Sequence, residues 1–362
     1  GIRTGLIFFS TMKKIAAIGE IDLIRRIEAR FRRIGPLPRA GIGEDAAVIR
    51  LPGAGADLAI SADLFLEGIH FRRRDFPAEM IGWKALAANL SDMAAMGARP
   101  LSYLLVLGLP GRLPESYFNG ILSGLGRLST RYRLRLLGGD TCKFSRLVVG
   151  ITILGSLQQK RFLPRTGARP GDQLFVTGPL GGSAMGLQLL RRGWKWQSGR
   201  PLPPAGKDDS NRKIGLRAAR QAMRAHLMPD PPVGTGILLA RHRLASAAID
   251  ISDGLEIDLE RLCRASGVGA ALEEDAVPVA PCLREFRDPR RSRKVALSGG
   301  EDYELLIAVP PAAVPRLGKA AGKGRRFTCI GEVRPRRFGL RIRDARGVTR
   351  PLAPRGFRHF SS

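Results

Sequence analysis

Cysteine, histidine and aromatic side chains are scarce in this 362-residue chain, with 4 Cys, 4 His and 6% aromatics. Cys142, Cys263, Cys282 and Cys329 form no CxxC pair and no Cys/His zinc spacing, which excludes a disulfide framework and a structural zinc fold. A reduced, cytoplasmic setting is expected. No apolar run approaches the ~18 residues that a membrane-spanning helix needs. GxxxxGK[ST] is absent, as are a full GxGxxG fingerprint and the HRD and DFG pair, so neither a P-loop enzyme nor a protein kinase is expected.

Acidic residues are also few: 32 against 60 basic ones, a net charge of +28. Such an excess invites a nucleic-acid reading. Its distribution argues against one, because arginine is scattered along the chain. The small clusters at Arg72–Arg74, Arg290–Lys294 and Arg334–Arg337 carry no interleaved RNA-binding aromatics. A solvated basic surface is expected.

What is present suits two domains with a sizeable core, since 44% of the chain is hydrophobic. Gly1 to Thr11 holds only a short apolar patch, Leu6–Phe9, and is expected to be an extension ahead of a natural start at Met12. Helical spacing runs from Met12 to Arg33, Pro77 to Met96, Glu115 to Tyr132, Ser183 to Leu190, Ile214 to His226, Val233 to Arg243 and Leu255 to Ala265. Strands are expected at Ala46–Arg50, Asp57–Asp63, Leu101–Leu107, Leu134–Leu137, Leu147–Leu157, Leu174–Thr177, Val295–Leu297 and Leu305–Val309. Gly193–Lys213 reads as a loop or insertion. This alternation means an α/β or α+β class. The domains are expected at 12–157 and 158–362.

The chemistry is written in aspartates beside small residues: Glu44-Asp45-Ala46, Ser61-Ala62-Asp63, Ser91-Asp92, Gly138-Gly139-Asp140-Thr141 and Asp250-Ile251-Ser252-Asp253-Gly254. Turns favour aspartate and glycine anyway. Five such segments in one chain instead suggest a pool of hard oxygen ligands for magnesium on a polyphosphate. Asp92 sits in the last turns of an alanine-rich helix, where the dipole disfavours an anion by ~0.3–1 kcal/mol. A bound cation reverses that sign. Ser61 and Asp63 share one face of an extended strand that Asp63 is expected to end. His70 follows on a short tether. Glycines before Asp140 allow close approach to a phosphate. The glycine-rich turn Gly178–Gly182 before a helix start is a second, weaker anion signal.

Gly43-Glu44-Asp45-Ala46-Ala47-Val48, Leu66-Glu67-Gly68-Ile69-His70-Phe71, Trp83-Lys84-Ala85-Leu86-Ala87, Ser91-Asp92-Met93-Ala94-Ala95-Met96-Gly97, Gly138-Gly139-Asp140-Thr141, Asp250-Ile251-Ser252-Asp253-Gly254-Leu255, Ser298-Gly299-Gly300-Glu301-Asp302-Tyr303-Glu304-Leu305-Leu306 and Gly356-Phe357-Arg358-His359-Phe360 occur in this order. Together they resemble the thiamine-monophosphate kinases, within the wider aminoimidazole ribonucleotide synthetase-like superfamily. The resemblance implies a two-domain fold whose N-terminal domain pairs with a second copy to complete a β-barrel. It implies ATP and several Mg²⁺ ions, with thiamine monophosphate as the acceptor. It further implies Asp45, Ser61, Asp63, Asp92, Asp140, Asp250 and Asp253 as metal ligands, with Asp63, Asp92, Asp140 and Asp253 closest to the chemistry. Gly139, Asp140, Arg165 and Ser252 are implied at ATP, and His70, Glu301 and Phe357 at thiamine monophosphate. Glu44 and Ala62 depart from the family pattern, where an aspartate and a threonine stand. The alternatives are another ATP-dependent member of the superfamily, or a basic RNA-binding protein on the same scaffold.

Overall fold

A computed structural model describes residues 20–31, 38–50, 53, 55–158, 161–204, 214–286, 288–322 and 326–357. The chain divides into two compact units, 1–37 with 357–362, and Pro38–Gly356. In the smaller unit a helix, α1, spans Glu20–Phe31, with acidic residues in its first turn and Arg30 in its last, as the helix dipole favours. The remainder of the Met12–Arg33 helix lies outside the described residues, as do residues 1–11.

The larger unit contains two main sheets. The first joins β1 (Ala47–Arg50), β2 (Ala56–Leu66), β3 (Arg99–Leu109), β4 (Arg135–Lys143) and β5 (Val148–Gln158) in the order β1-β2-β5-β3-β4. All its pairings are antiparallel except β3 with β4. Two helices, α2 (Ala78–Met96) and α3 (Glu115–Tyr132), connect these strands.

The second sheet has seven strands: β6 (Gln173–Val176), β9 (Ala247–Ile251), β10 (Val268–Glu273), β11 (Glu304–Val309), β12 (Thr328–Pro335), β13 (Leu340–Arg343) and β14 (Thr349–Pro351), in the order β14-β13-β10-β12-β6-β11-β9. Its helices are α4 (Gly182–Arg191), α5 (Leu216–Leu227), α6 (Val233–His242), α7 (Leu255–Ser266), α8 (Pro289–Ser298) and α9 (Val314–Ala321). A small hairpin pairs β7 (Lys195–Gln197) with β8 (Arg200–Leu202).

Helix α2 organises the packing. Its Ala, Leu and Met content favours helix, and it is apolar all round, as a fully enclosed helix must be. From Met80 to Met96 only Ala88 and Asp92 are not buried. Gly97 closes it in the left-handed conformation, and Ala98 N–H then reaches Met93 O at 2.8 Å. Close approach on two sides depends on missing side chains. A Cβ on Gly124 of α3 would sit 1.9 Å from Glu79 O, and one on Gly236 of α6 would sit 1.9 Å from Ala94 O.

Several expectations are corrected. Val295–Leu297 lies inside α8 and is no strand: Asp288 caps this helix by accepting from Arg290 N–H, with Pro289 at its first position. Asp63 does not end β2, which continues to Leu66. Gly138-Gly139-Asp140 is no turn, since β4 runs through it in parallel register with β3. Part of Gly193–Lys213 is the β7–β8 hairpin, and residues 205–213 lie outside the described residues.

The glycine contacts predict opposite outcomes two residues apart. Gly124→Ala forces α2 and α3 apart and costs about 1–3 kcal/mol. Gly126 faces open space on the same helix, so Gly126→Ala gains about 0.5–1 kcal/mol. Urea midpoints of the two variants check the contrast. Equal shifts would remove the close-packing account.

Candidate active site

Three carboxylates meet where the two sheets' elements converge. Asp45 precedes β1, Asp92 lies on α2 and Asp250 lies in β9, and one oxygen from each falls within 4.8 Å of the others. The sequence spacing alone would not place them together. The packing does, because α2 touches both β2 and β9.

Hydroxyls support the cluster. Ser61 Oγ donates to Asp92 Oδ2, Ser91 Oγ donates to Asp250 Oδ2 at 2.7 Å, and Ser252 Oγ donates to Asp250 Oδ1 at 3.3 Å. Arg165 pairs with Asp45 through Nη2 and donates from Nη1 to Gly43 O at 2.7 Å. Glu44, which departs from the family pattern, accepts from the Arg165 backbone N–H at 2.6 Å and so fixes the loop that carries the arginine.

The electrostatics are those of crowded like charges. Burial, then Asp63, Asp250 and Asp45, holds Asp92 well above the usual carboxylate range. Burial and Asp45 push Asp250 up to about 7. Burial raises Asp45 against the opposing pull of Arg165. Asp63 is raised by its surroundings and by Asp45, but it stays solvent-exposed, so screening weakens both effects.

The donor set fits a hard divalent cation. All its atoms are oxygens, and Asp45 Oδ2 is buried without a hydrogen-bond partner. An oxygen in that condition is costly unless something positive meets it.

The other expected residues stand outside this three-carboxylate group. Asp253 ion-pairs with Arg261 instead of joining the three carboxylates. Its backbone N–H and that of Gly254 donate to Asp258 Oδ2 at 3.0 and 3.1 Å. Asp140 is exposed on β4 and accepts from Thr141 N–H at 2.8 Å. Gly139 is required where it is: a Cβ there would lie 1.7 Å from Leu105 O of the adjoining strand. His70 Nδ1 accepts from Leu66 N–H at 3.0 Å, and its ring stacks on Phe65. Phe357 belongs to the smaller unit.

Glu301 has partners that sequence reasoning missed. Lys84, wholly buried on α2, reaches Glu301 Oε1 at 2.8 Å, and His226 Nδ1 lies 3.3 Å from Oε2. Burial and the neighbouring Lys84 charge push His226 well below its ordinary value, so the imidazole is neutral. Glu301 and Tyr303 both adopt positive φ, 65° and 52°. Such backbone costs about 1–3 kcal/mol per residue. Between them, Asp302 offsets it by accepting from Gly181 and Ser183 N–H at 2.6 and 3.1 Å. Arg261 carries no readable signal, and Ser91 and Lys84 fall in marked segments whose partners are not readable. Each lies inside a helix, and its partner is known only once the fold is closed.

Known proteins match this chain in sequence and fold. Residues 43–157 match the N-terminal domain, and residues 169–343 the C-terminal domain, of AIR synthase related proteins. AaThiL complexed with AMPPCP and TMP superposes with a TM-score of 0.78 at 28% identity, covering 97% of this chain and 100% of that one. Thiamine-monophosphate kinase from Stenotrophomonas maltophilia does so with a TM-score of 0.70 at 32% identity, covering 91% and 96%. Thiamine-monophosphate kinase of Salmonella typhimurium is 38% identical over 348 residues, covering 96% of this chain and 99% of the relative. With that identity sustained along nearly both whole lengths, the chain belongs to the thiamine-monophosphate kinase family.

Proposed function

We propose that this chain transfers the γ-phosphoryl group of ATP to the phosphate of thiamine monophosphate, giving thiamine diphosphate and ADP. The carboxylate cluster of Asp45, Asp92 and Asp250 carries the reading, because two polyanions must approach and hard cations are what such a cluster holds. An oxygen of the acceptor phosphate forms the new bond to the γ-phosphorus as the bond to the β–γ bridging oxygen breaks, and ADP leaves with that electron pair. The acceptor phosphate has its second pKa near ~6, so it is already ionised at neutral pH. No general base is required.

Asp45, Ser61, Asp63, Asp92, Asp140, Asp250 and Asp253 are assigned to hold Mg²⁺, which neutralises phosphate charge when bound. Gly139, Asp140, Arg165 and Ser252 are assigned to ATP. His70, Glu301 and Phe357 are assigned to thiamine monophosphate, where Lys84 holds the Glu301 carboxylate in one orientation.

A homodimer is part of the same proposal. Every residue of the edge strand β4 is exposed, and Leu64, Leu104, Val106, Leu136 and Leu137 present apolar surface on its sheet. An uncovered edge of this kind calls for a partner, and a second copy completing a barrel supplies one. Light scattering that finds a monomer at micromolar concentration would remove this part. Residues 12–157 and 158–362 are assigned as the two domains, for which limited proteolysis near Gln158 is the check. Among the described residues no helix is long and apolar enough to cross a membrane. All four cysteines are unpaired, which suits a reducing compartment, and we place the protein in the cytoplasm. Cell fractionation tests that placement.

Free thiamine is expected to be a poor acceptor, because its hydroxyl needs a base and none is assigned. Product assays with the two acceptors decide: comparable turnover would refute direct attack by the phosphate.

Asp250→Asn is expected to abolish turnover and the rise in melting temperature that Mg²⁺ gives the wild type. Glu301→Gln is expected to raise KM for thiamine monophosphate several-fold while leaving that Mg²⁺ effect intact. If both variants lose the two properties together, metal and substrate roles have not been separated and the assignment falls.

A further inference from the structure

The first sheet ends in a cavity of about 780 Å³ that the phosphoryl-transfer reading does not use. Five arginines line it: Arg72, Arg73 and Arg74 from the loop after β2, Arg112 from the loop after β3, and Arg146 from the turn between β4 and β5. These three connections emerge together because Leu66 pairs with Val148, and Leu109 with Lys143, across the sheet. A scattered basic surface does not need this. Here guanidinium groups from three separate loops face one space.

Little negative charge answers them. Glu67 is the cavity's one carboxylate, and it is already engaged: Oε1 pairs with Arg73 at 2.6 Å and Oε2 accepts from Leu147 N–H at 2.9 Å. Arg74 lies 3.6 Å from Asp75. Arg72, Arg112 and Arg146 make no ion pair among the described residues. The backbone also makes room for one of them. Gly68 has φ of 92°, and a Cβ there would fall 2.9 Å from Arg146 Nη1, so this guanidinium lies over bare main chain.

We propose that this cavity is a binding site for a small anion carrying a diphosphate group, either inorganic pyrophosphate or a diphosphate ester. Planar guanidinium forks match phosphate oxygens two at a time. Five arginines set against the carboxylates of Glu67 and Asp75 leave three positive charges in excess, which suits a ligand with about three negative charges; one phosphate does not reach that and a diphosphate does. No aromatic side chain lines the cavity, so the stacking platform that single-stranded nucleic acid uses is missing. The site does not depend on the kinase reading, because none of its arginines belongs to the carboxylate centre.

Calorimetric titration of the full chain tests it, with EDTA present so that no metal-bound phosphate occupies the carboxylate cluster. Pyrophosphate, ADP and thiamine diphosphate are titrated separately. Pyrophosphate is expected to bind the wild type, and the Arg72→Ala/Arg112→Ala/Arg146→Ala variant is expected to lose affinity by about tenfold or more. Turnover of that variant stays near the wild-type value. Tighter binding of ADP or thiamine diphosphate than of pyrophosphate assigns the site to an ester, and equal binding assigns it to the inorganic ion. The Arg72→Lys/Arg112→Lys/Arg146→Lys variant keeps the charge and loses the forks, so it is expected to bind weakly as well. It also carries the test if the alanine variant does not fold. Wild-type affinity in the lysine variant reduces the cavity to a diffuse positive field and overturns the proposal. So does a wild type that binds none of the three ligands.

Discussion

Mutual repulsion among Asp45, Asp92 and Asp250 is the constraint that the rest of the larger unit accommodates. Two unit charges ~4–5 Å apart in surroundings of effective dielectric ~20 repel by about 3–4 kcal/mol. Three such pairs amount to a large part of a domain's net stability. Burial raises all three carboxyls, and repulsion from neighbouring carboxylates adds to the rise at Asp92 and Asp250, so without a cation the cluster lowers its charge by taking up protons. Hydroxyls from Ser61, Ser91 and Ser252 and the Arg165 guanidinium offset part of the remainder. None of these removes the buried, unsatisfied Asp45 Oδ2. The fold carries a local defect that a bound cation would repair.

Helix α2 is what makes that defect tolerable. It is buried along almost its whole length and held by glycine-mediated contacts with α3 and α6, so its side chains have no freedom to swing apart. The same helix carries a buried cation, Lys84, eight positions before Asp92. At 1.5 Å per residue these opposite charges stand ~12 Å apart on a rigid rod. One end meets the carboxylate cluster and the other meets Glu301. The geometry suits an acceptor with a phosphate at one end and a ring system at the other.

Aspartates beside small residues were the signal that could be read from the sequence, and Asp45, Ser61, Asp92, Asp250 and Ser252 do come together. Long apolar helices such as α2 and α3 were equally legible. The strands β10, β12, β13 and β14 are not marked in the sequence: β13 and β14 are short and carry arginine, and β10 and β12 are interrupted by Gly269 and Gly331, so neither period nor propensity singles them out. Val295-Ala296-Leu297 reads as a strand because its apolar run outweighs the Asp288-Pro289 start signal of α8. The partners of Glu301 and Asp250 were illegible in principle. Lys84 and Ser91 lie on a helix of the first half, and only the packing of α2 against β9 and β11 brings them across.

The basic excess acts against this acidic centre in a way that depends on distance. At physiological ionic strength the screening length is ~8 Å, so an arginine on a remote face contributes almost nothing to the potential at the site. A net charge of +28 spread over the whole surface therefore says little about how a nucleotide or a phosphate ester is captured. Charges matter where several fall within one screening length of a common point, and the loops after β2 and β3 and the β4–β5 turn create such a point. Local order decides how the charge acts. The same guanidinium groups spread along a helix face would be hydrated and silent, whereas gathered around one cavity they keep a field that an anion can answer.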